Sequence, residues 1–419
     1  MKKIIILSIN EKRLKHLMVA KEQGYYIVVL DESLPEKCQP YVDLFYPIDV
    51  TDKNSLLNRV DSIKKHHVFD AVTTFLDKGV EACAWVSSAL GLPGNSETAA
   101  KCARNKYFMR ETLMKAGLPH PRFEYVDSLE SLQRAAKRIG YPFIFKPIGA
   151  TLSKGIFKIS SQNETVPCYQ SMIELSNPTY DASFNYYHKN YIAEAFMFGK
   201  EFSVEGVASS GKLHFLGVTE KWTDNPYFIE TQHVFPAQIS TDLKTELLKS
   251  AAEALQAIGW QYGGFHVEIM LTQTGPYIVE INGRLGGDYI TTHLTLASTG
   301  ISMIEQNYRS VLGLPLTIQD LIKKYVCVSF LVGEREGYLS DWQGMEQARN
   351  TRGILDICFE LDIGRNVIFP PKKFDAFRLA AVIAEGASSD EAIRRANAAK
   401  ADLVPIFATK VDPIIQTIG

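Results

Sequence analysis

Two apolar strands, each with an acid set into it and joined by a tight turn, constrain this chain more than any other feature. Phe265-His266-Val267-Glu268 leads through Gln273-Thr274-Gly275 into Val279-Glu280-Ile281-Asn282-Gly283-Arg284. Strand residues two apart share a face, so Glu280 and Asn282 point the same way, and pairing across the hairpin brings Glu268 beside them. Carboxylates packed together repel unless solvent or a cation separates them. An oxygen-only donor set on rigid strands suits Mg²⁺, which also takes oxygens from bound phosphates. The bland alternative is a solvated strand face with incidental acids. The apolar neighbours of both acids argue against it.

Length sets the frame around that hairpin. At 419 residues, and about 100–200 residues per domain, the chain should fold as two to four domains or subdomains. Lys+Arg total 45 against 47 Asp+Glu, and no long basic run supplies the positive stripe of a nucleic-acid binder. The six cysteines stand apart with no CxxC pair, which reads as inert thiols in a reducing compartment. Met1-Lys2-Lys3 followed by Ile4-Ile5-Ile6-Leu7 begins like a leader, but the apolar run stops at Ser8-Ile9-Asn10. No stretch approaches the roughly 18 apolar residues of a membrane span. No membrane partner and a cytoplasmic location are therefore expected.

The chain opens as a βαβ unit: strand at Ile4 to Leu7, helix from Lys12 to Gln23, strand at Tyr25 to Leu30. A dinucleotide fold starts this way, yet the turn Ser8-Ile9-Asn10-Glu11 lacks GxGxxG, so the backbone cannot approach a pyrophosphate closely. Asp31 mimics the ribose-binding acid of such folds, with a structural role preferred. A helix is expected over 98–116, carrying Lys101, Arg104, Lys106 and Arg110, and the strand Pro142 to Pro147 ends in Lys146-Pro147. The small-residue loop Gly149 to Gly155 follows without a helix behind it, so it reads as a flap between strands whose amides can fold over phosphates. Residues 161–190 read as a polar, strand-poor, mobile cover. Between Glu194 and Glu201 lies an apolar linker able to take a flat base, with a carboxylate to receive ribose hydroxyls. From about Tyr325 onward, short strands and the helix Ser389 to Ala401 suggest a closing α+β subdomain.

The order of a lysine on a helix, FKP, a small-residue flap, two acids seven apart at Glu194 and Glu201, and then acid, hairpin and EINGR resembles the ATP-grasp superfamily. More closely it is similar to the bacterial L-amino-acid ligases (dipeptide synthetases) and carboxylate–amine ligases. The resemblance covers about residues 1–310. It implies a multidomain α/β and α+β architecture, an ATP-grasp fold behind a Rossmann-like N-terminal domain. The expected divisions are 1–100 (Rossmann-like), 101–190 (small subdomain with lid), 191–320 (catalytic sheet) and 321–419 (C-terminal α+β subdomain).

The resemblance also implies roles. Lys106 and Lys146 would contact the nucleotide phosphates, with a plain surface lysine the alternative, more so for Lys106. Ser153, Lys154 and Gly155 would close over the β- and γ-phosphates. Glu194, Ala195 and Phe196 would line the adenine, and Glu201 would hold the ribose. Glu268, Glu280 and Asn282 would bind two Mg²⁺ ions, or Mn²⁺ in their place. Arg284 would stabilise the transferring phosphoryl group and the acyl phosphate. Glu230 would bind a substrate ammonium, and His233 would contact the carboxylate or help deprotonate the attacking amine, a structural loop histidine being the alternative. Gly287 would let a chain approach, and Asp288, one turn beyond Arg284 if a helix starts there, would tune side-chain preference.

The implied reaction is ATP-dependent activation of an amino-acid carboxylate as an acyl phosphate, joined to an amine, with ADP and phosphate released. The amine belongs to a second small-molecule amino acid, or, as alternatives, to a carrier protein or a natural-product intermediate. A homodimer is among the expected states. Two further readings are a nucleotide-binding regulator without catalysis and a dinucleotide-dependent oxidoreductase. The joint presence of Lys146, Glu268, Glu280, Asn282 and Arg284 weighs against the first, and the missing glycines against the second. The flap reads ATLSKG rather than a run of glycines and serines, which stiffens it at Leu152 and adds the charge of Lys154.

Overall fold

The computed structural model describes residues 1–177, 182–224, 226–319 and 322–408. Its first sheet is parallel, with the strand Lys3–Leu7 between Tyr26–Asp31 and Ala71–Thr73, and Leu44–Pro47 outermost. Near-continuous apolar strands such as these form where both faces are covered. The turn after the first strand is closed by Asp31, which accepts hydrogen bonds from Ser8 Oγ and the Ile9 amide at 2.9 Å each and pairs with Lys78 at 3.0 Å. Asp31 is therefore a structural acid, and the oxidoreductase reading loses its ribose ligand.

The single helix expected over 98–116 is two helices, Glu97–Cys102 and Lys106–Lys115. Asn105 makes the break: its side chain accepts from the amides of Tyr107 and Phe108 and caps the second helix. That cap places Lys106 at a helix start, beside the flap.

The second sheet is antiparallel, in the order Phe123–Val126, Tyr191–Ala195, Phe143–Pro147, Phe157–Ile159. Helices Leu129–Ile139 and Gln162–Leu175 cover it, Leu132 and Met172 packing on Phe143, Phe145 and Tyr191. Within the polar, strand-poor segment 161–190, the helix Gln162–Leu175 forms most of the described part. Residues 178–181 of that segment lie outside the described residues.

The largest sheet has eight antiparallel strands, in the order Gly275–Asn282, Gly263–Thr272, Lys200–Ser209, Lys212–Asp224, Ile229–Phe235, Tyr325–Val332, Arg378–Gly386, Ile354–Phe359. Helix Thr241–Ile258 packs on one face through Leu247, Ala251 and Leu255 against Phe202, Val204, Val218, Phe265 and Val267. Another core joins Ile4, Ile6, Ile27 and Val29 of the first sheet to Phe235, Val328 and Phe330 of the largest through Tyr308 and Met303. Residue 320 thus falls inside this sheet in chain order, with five of its strands before it and three after. A small sheet of Gly337–Gln343, Asn366–Val367 and Val404–Ala408 packs through Leu339, Trp342 and Val367 against Ile357, Leu379, Ala380 and Val382 of the largest sheet. Among the described residues, no helix is long and apolar enough to cross a membrane.

Candidate active site

The core face of the eight-stranded sheet takes alternate residues, and the intervening positions carry an unusual density of charge. Glu268 stands opposite both Glu280 and Ser203, His266 opposite Asn282 and Glu205, and Lys221 opposite Glu201. A register shift between Glu268 and Ile269 bends the strand at the acid. The structure thus brings Glu268, Glu280 and Asn282 onto one surface, an all-oxygen donor set of the kind that suits Mg²⁺.

Lys221 organises the middle of this surface. Its buried ammonium lies 2.6 Å from Glu230, 2.9 Å from Glu268 and 3.1 Å from Glu201. Burial would lower the lysine pKa, but the three carboxylates hold it well above its ordinary value. Burial pushes the Glu201 carboxyl up in spite of Lys221, and the neighbouring Glu268 and Glu230 add to the rise. His266 is the second organiser: Nδ1 lies 2.9 and 3.0 Å from the two Glu205 oxygens, and Nε2 lies 3.2 Å from Glu268. Burial opposes the imidazolium, yet Glu205 and Glu268 raise its pKa to about 9. Ser203 and Thr219 hydroxyls donate to Glu205 and fix the far end of the relay. Glu268 is therefore held by two cations, and its pKa lies well below the usual carboxylate range despite burial.

Glu230 and His233 sit three apart, a spacing that places residues on opposite faces of a regular strand. Here Trp222 pairs with Gln232 while the adjacent Thr223 pairs with Glu230, so Thr231 is an extra residue and both side chains reach the same side. His233 belongs to a strand and is fully buried, which corrects the loop-histidine alternative. Its Nε2 lies 3.4 Å from Glu230 and 3.9 Å from Asp288. Burial opposes its charge, and those two acids raise its pKa. No helix starts at Arg284, so Asp288 does not stand one helical turn beyond it. Asp288 has φ 45°, the next helical turn starts at Ile290, and both Asp288 oxygens are held by Arg378 at 2.7 and 2.8 Å. Arg378 also pairs with Glu360 at 3.1 Å, so the C-terminal strands enter the site.

Cations line the opposite side. Lys106 is buried and donates to Ala150 O and Glu280, each at 2.8 Å, which excludes a plain surface lysine. Lys146 and Arg110 each lie 2.5 Å from the buried Glu194 carboxylate. Burial would raise Glu194, but the two cations hold its carboxyl down to about 2. The Glu194 side chain is thus committed to these ion pairs, and Ala195 and Phe196 continue the edge. Phe196 lies 4.7 Å from the Phe198 ring and 6.3 Å from that of Phe228, with Lys158 Nζ 4.2 Å above it.

The flap closes onto the same loop: Ser153 Oγ donates to Phe228 O at 3.0 Å. Leu152 and Ser153 both have positive φ, and Gly155 needs it, since a Cβ there would also meet Pro147 at 3.1 Å.

Arg284 donates from Nε and Nη2 to Asp77 at 3.0 and 2.9 Å. Asp77, from the N-terminal domain, also lies 3.8 Å from Arg104. Burial raises and the two guanidinium groups lower the Asp77 pKa, to about 2. Gly287 stands beside Arg13, whose Nη2 would be 3.7 Å from a Cβ at that position.

Sequence reasoning passed over Lys221, Asp77, Arg13, Arg378 and the relay role of His266. Lys221 carried one signal, a charged pair with Glu220 continuing the apolar or hydroxylated run Leu216-Gly217-Val218-Thr219. The others lie in segments whose partners are remote in sequence.

Comparison with known proteins follows this geometry. Residues 17–94 match the ATP-grasp N-terminal domain, 139–293 the ATP-grasp domain, and 329–407 the L-amino acid ligase C-terminal domain 2. An uncharacterised protein of Sinorhizobium fredii is 21% identical over 390 residues, covering 93% of this chain and 78% of that protein. The alanine–anticapsin ligase of Bacillus subtilis is 29% identical over 238 residues, 52% of this chain and 49% of that ligase. This chain therefore matches about half the length of that relative. The crystal structure of the L-amino acid ligase from Bacillus licheniformis superposes with a TM-score of 0.86 at 20% identity, covering 97% of this chain and 99% of the other, a likeness of fold.

Proposed function

We propose that this chain, which belongs to the ATP-grasp ligases and carries an L-amino acid ligase C-terminal domain, joins the carboxylate of an amino acid to the amine of a second one. The observation that carries this reading is that Lys106 joins Glu280 and lies close to Lys146, while Arg284 lies close to Glu268 and Glu280, on the surface that also carries Asn282. Phosphoryl transfer needs in-line positioning and neutralisation of charge on the transferring oxygens rather than a protein nucleophile. Mg²⁺ would supply neutralisation of the phosphate charge.

The residues divide the remaining work. Glu268, Glu280 and Asn282 would hold two ions, with Lys221 and His266 keeping Glu268 ionised and aimed. Lys106, Lys146 and the flap residues Ser153, Lys154 and Gly155 grip the phosphates. Ala195 and Phe196 border the base, beside the buried Glu194 ion pairs, and Glu201 takes the ribose. Arg284, oriented by Asp77, faces the acyl phosphate. Glu230 and Asp288, joined by His233, receive the ammonium of the first amino acid.

A phosphate-release screen of amino acids singly and in pairs, with ATP and Mg²⁺, tests the reading. ADP and phosphate are expected, together with a dipeptide by mass. AMP and pyrophosphate would rule out the acyl-phosphate route.

A further inference from the structure

Arg13 differs from the cations that pair with Asp77, Glu194, Glu268, Glu280 and Asp288. It closes the short helical turn Glu11–Arg13 after the first strand, and its Nε donates to Phe75 O at 3.0 Å, which fixes the root of the guanidinium. Lys106, Lys146, Lys221, Arg284 and Arg378 each lie against a carboxylate at 3.1 Å or less, and Arg104 has Asp77 at 3.8 Å. Among the described residues, Arg13 has no carboxylate within that range. The two nearest are already engaged, Asp77 by Arg284 and Asp288 by Arg378. Burial, with Arg284 nearby, brings the Arg13 pKa down to about 10. A half-buried guanidinium whose charge Asp77 and Asp288 compensate only in part is suited to an anion that arrives from outside.

The place narrows what that anion is. The free edge of the guanidinium faces Gly287, where the absence of a side chain leaves room for a bound molecule. Arg284, which faces the reacting carboxylate in the proposed reaction, is near enough to repel Arg13. The first amino acid spends its carboxylate at Arg284 and the metal ligands, and its ammonium at the acids. A second amino acid must bring its amine to the same carbon while carrying a carboxylate that needs a cation of its own.

We propose that Arg13 binds the carboxylate of the acceptor amino acid, so that the acceptor is a free amino acid rather than an amine without a carboxylate. This rests on the ligase reading above and narrows it: an aminoacyl thioester on a carrier, or a simple amine, offers nothing to Arg13.

The test compares kcat/KM for the acceptor that releases phosphate fastest with kcat/KM for its primary amide, in wild type and in Arg13→Gln and Arg13→Lys. Wild type should prefer the acid by roughly tenfold to a hundredfold, the range of one charged hydrogen bond. Arg13→Gln should bring the ratio close to one, and Arg13→Lys should retain much of it, because the charge remains. An unchanged ratio in Arg13→Gln, or a wild type indifferent to amidation, overturns the assignment. Trapping the activated donor with hydroxylamine in wild type separates the two readings. Hydroxamate with an unchanged ratio removes Arg13 alone, whereas no hydroxamate from any amino acid removes the ligase reading and this inference with it.

Discussion

Two buried charge clusters in this cleft are inverses of each other. Around Lys221, one ammonium answers Glu201, Glu230 and Glu268, whereas around Asp77, one carboxylate answers Arg284 and Arg104. Each pairing leaves an excess of one sign in a place where unpaired charge is costly. The first is suited to cations, a metal ion and a substrate ammonium, and the second to phosphate and carboxylate. The near balance of 45 basic and 47 acidic residues therefore conceals a sorting of charge across the cleft rather than a scarcity of it.

The contrast breaks most completely at Glu280. Glu280→Gln keeps the shape, removes a metal-binding charge and leaves Lys106 without its carboxylate. Phosphate release should fall on the order of 10³-fold, comparable to losing a principal transition-state contact. Circular dichroism would show the fold retained, and near-normal turnover would remove Glu280 from the metal set.

Replacing Lys221 by Met tests the acid-rich half. Three carboxylates lose their shared ammonium, and stability should drop by about 3–5 kcal/mol in urea denaturation. Added Mg²⁺ should then stabilise the variant more than wild type. A variant as stable as wild type would mean that these acids do not repel one another as the geometry implies.

His266 sharpens the same half through pH. Folding raises its pKa from about 6.5 in the unfolded chain to about 9. Its stabilisation is therefore full below pH ~6.5 and fades as pH rises toward 9, by roughly 3 kcal/mol over that window. His266→Gln should flatten the stability profile between those limits, and a profile parallel to wild type would refute the charged relay. The smallest effect belongs to the cation-rich half. Asn105→Ala removes the cap that places Lys106 and should cost ~1 kcal/mol of stability, measured by the same denaturation.

The legible part of this site was the local part. Glu268, Glu280 and Asn282 could be placed on one surface because a strand repeats every two residues and the hairpin that pairs them is short. Lys106, Lys146, Glu280 and Glu194 were all identified, but not that the lysines pair with these acids, since Glu280 and Glu194 lie in other elements. The Glu230–His233 spacing could not be read as one face, because that depends on the extra residue at Thr231, which arises only when the strand pairs with its neighbour. The helix break at Asn105 was hidden for a different reason: Asn is tolerated inside a helix at modest cost, and only the structure shows its side chain turned to cap the next one.

What the sequence determined by itself was the alternation of strands and helices, the apolar faces that drive their packing and the acid-bearing hairpin, because each depends on residues within a few positions of one another. Tertiary structure alone decided which charge meets which. Arg284 and Asp77 are 207 residues apart and come from different domains, yet they share a hydrogen bond. Coulomb energies depend on distance through space, and burial in the fold sets how strongly each pair is felt.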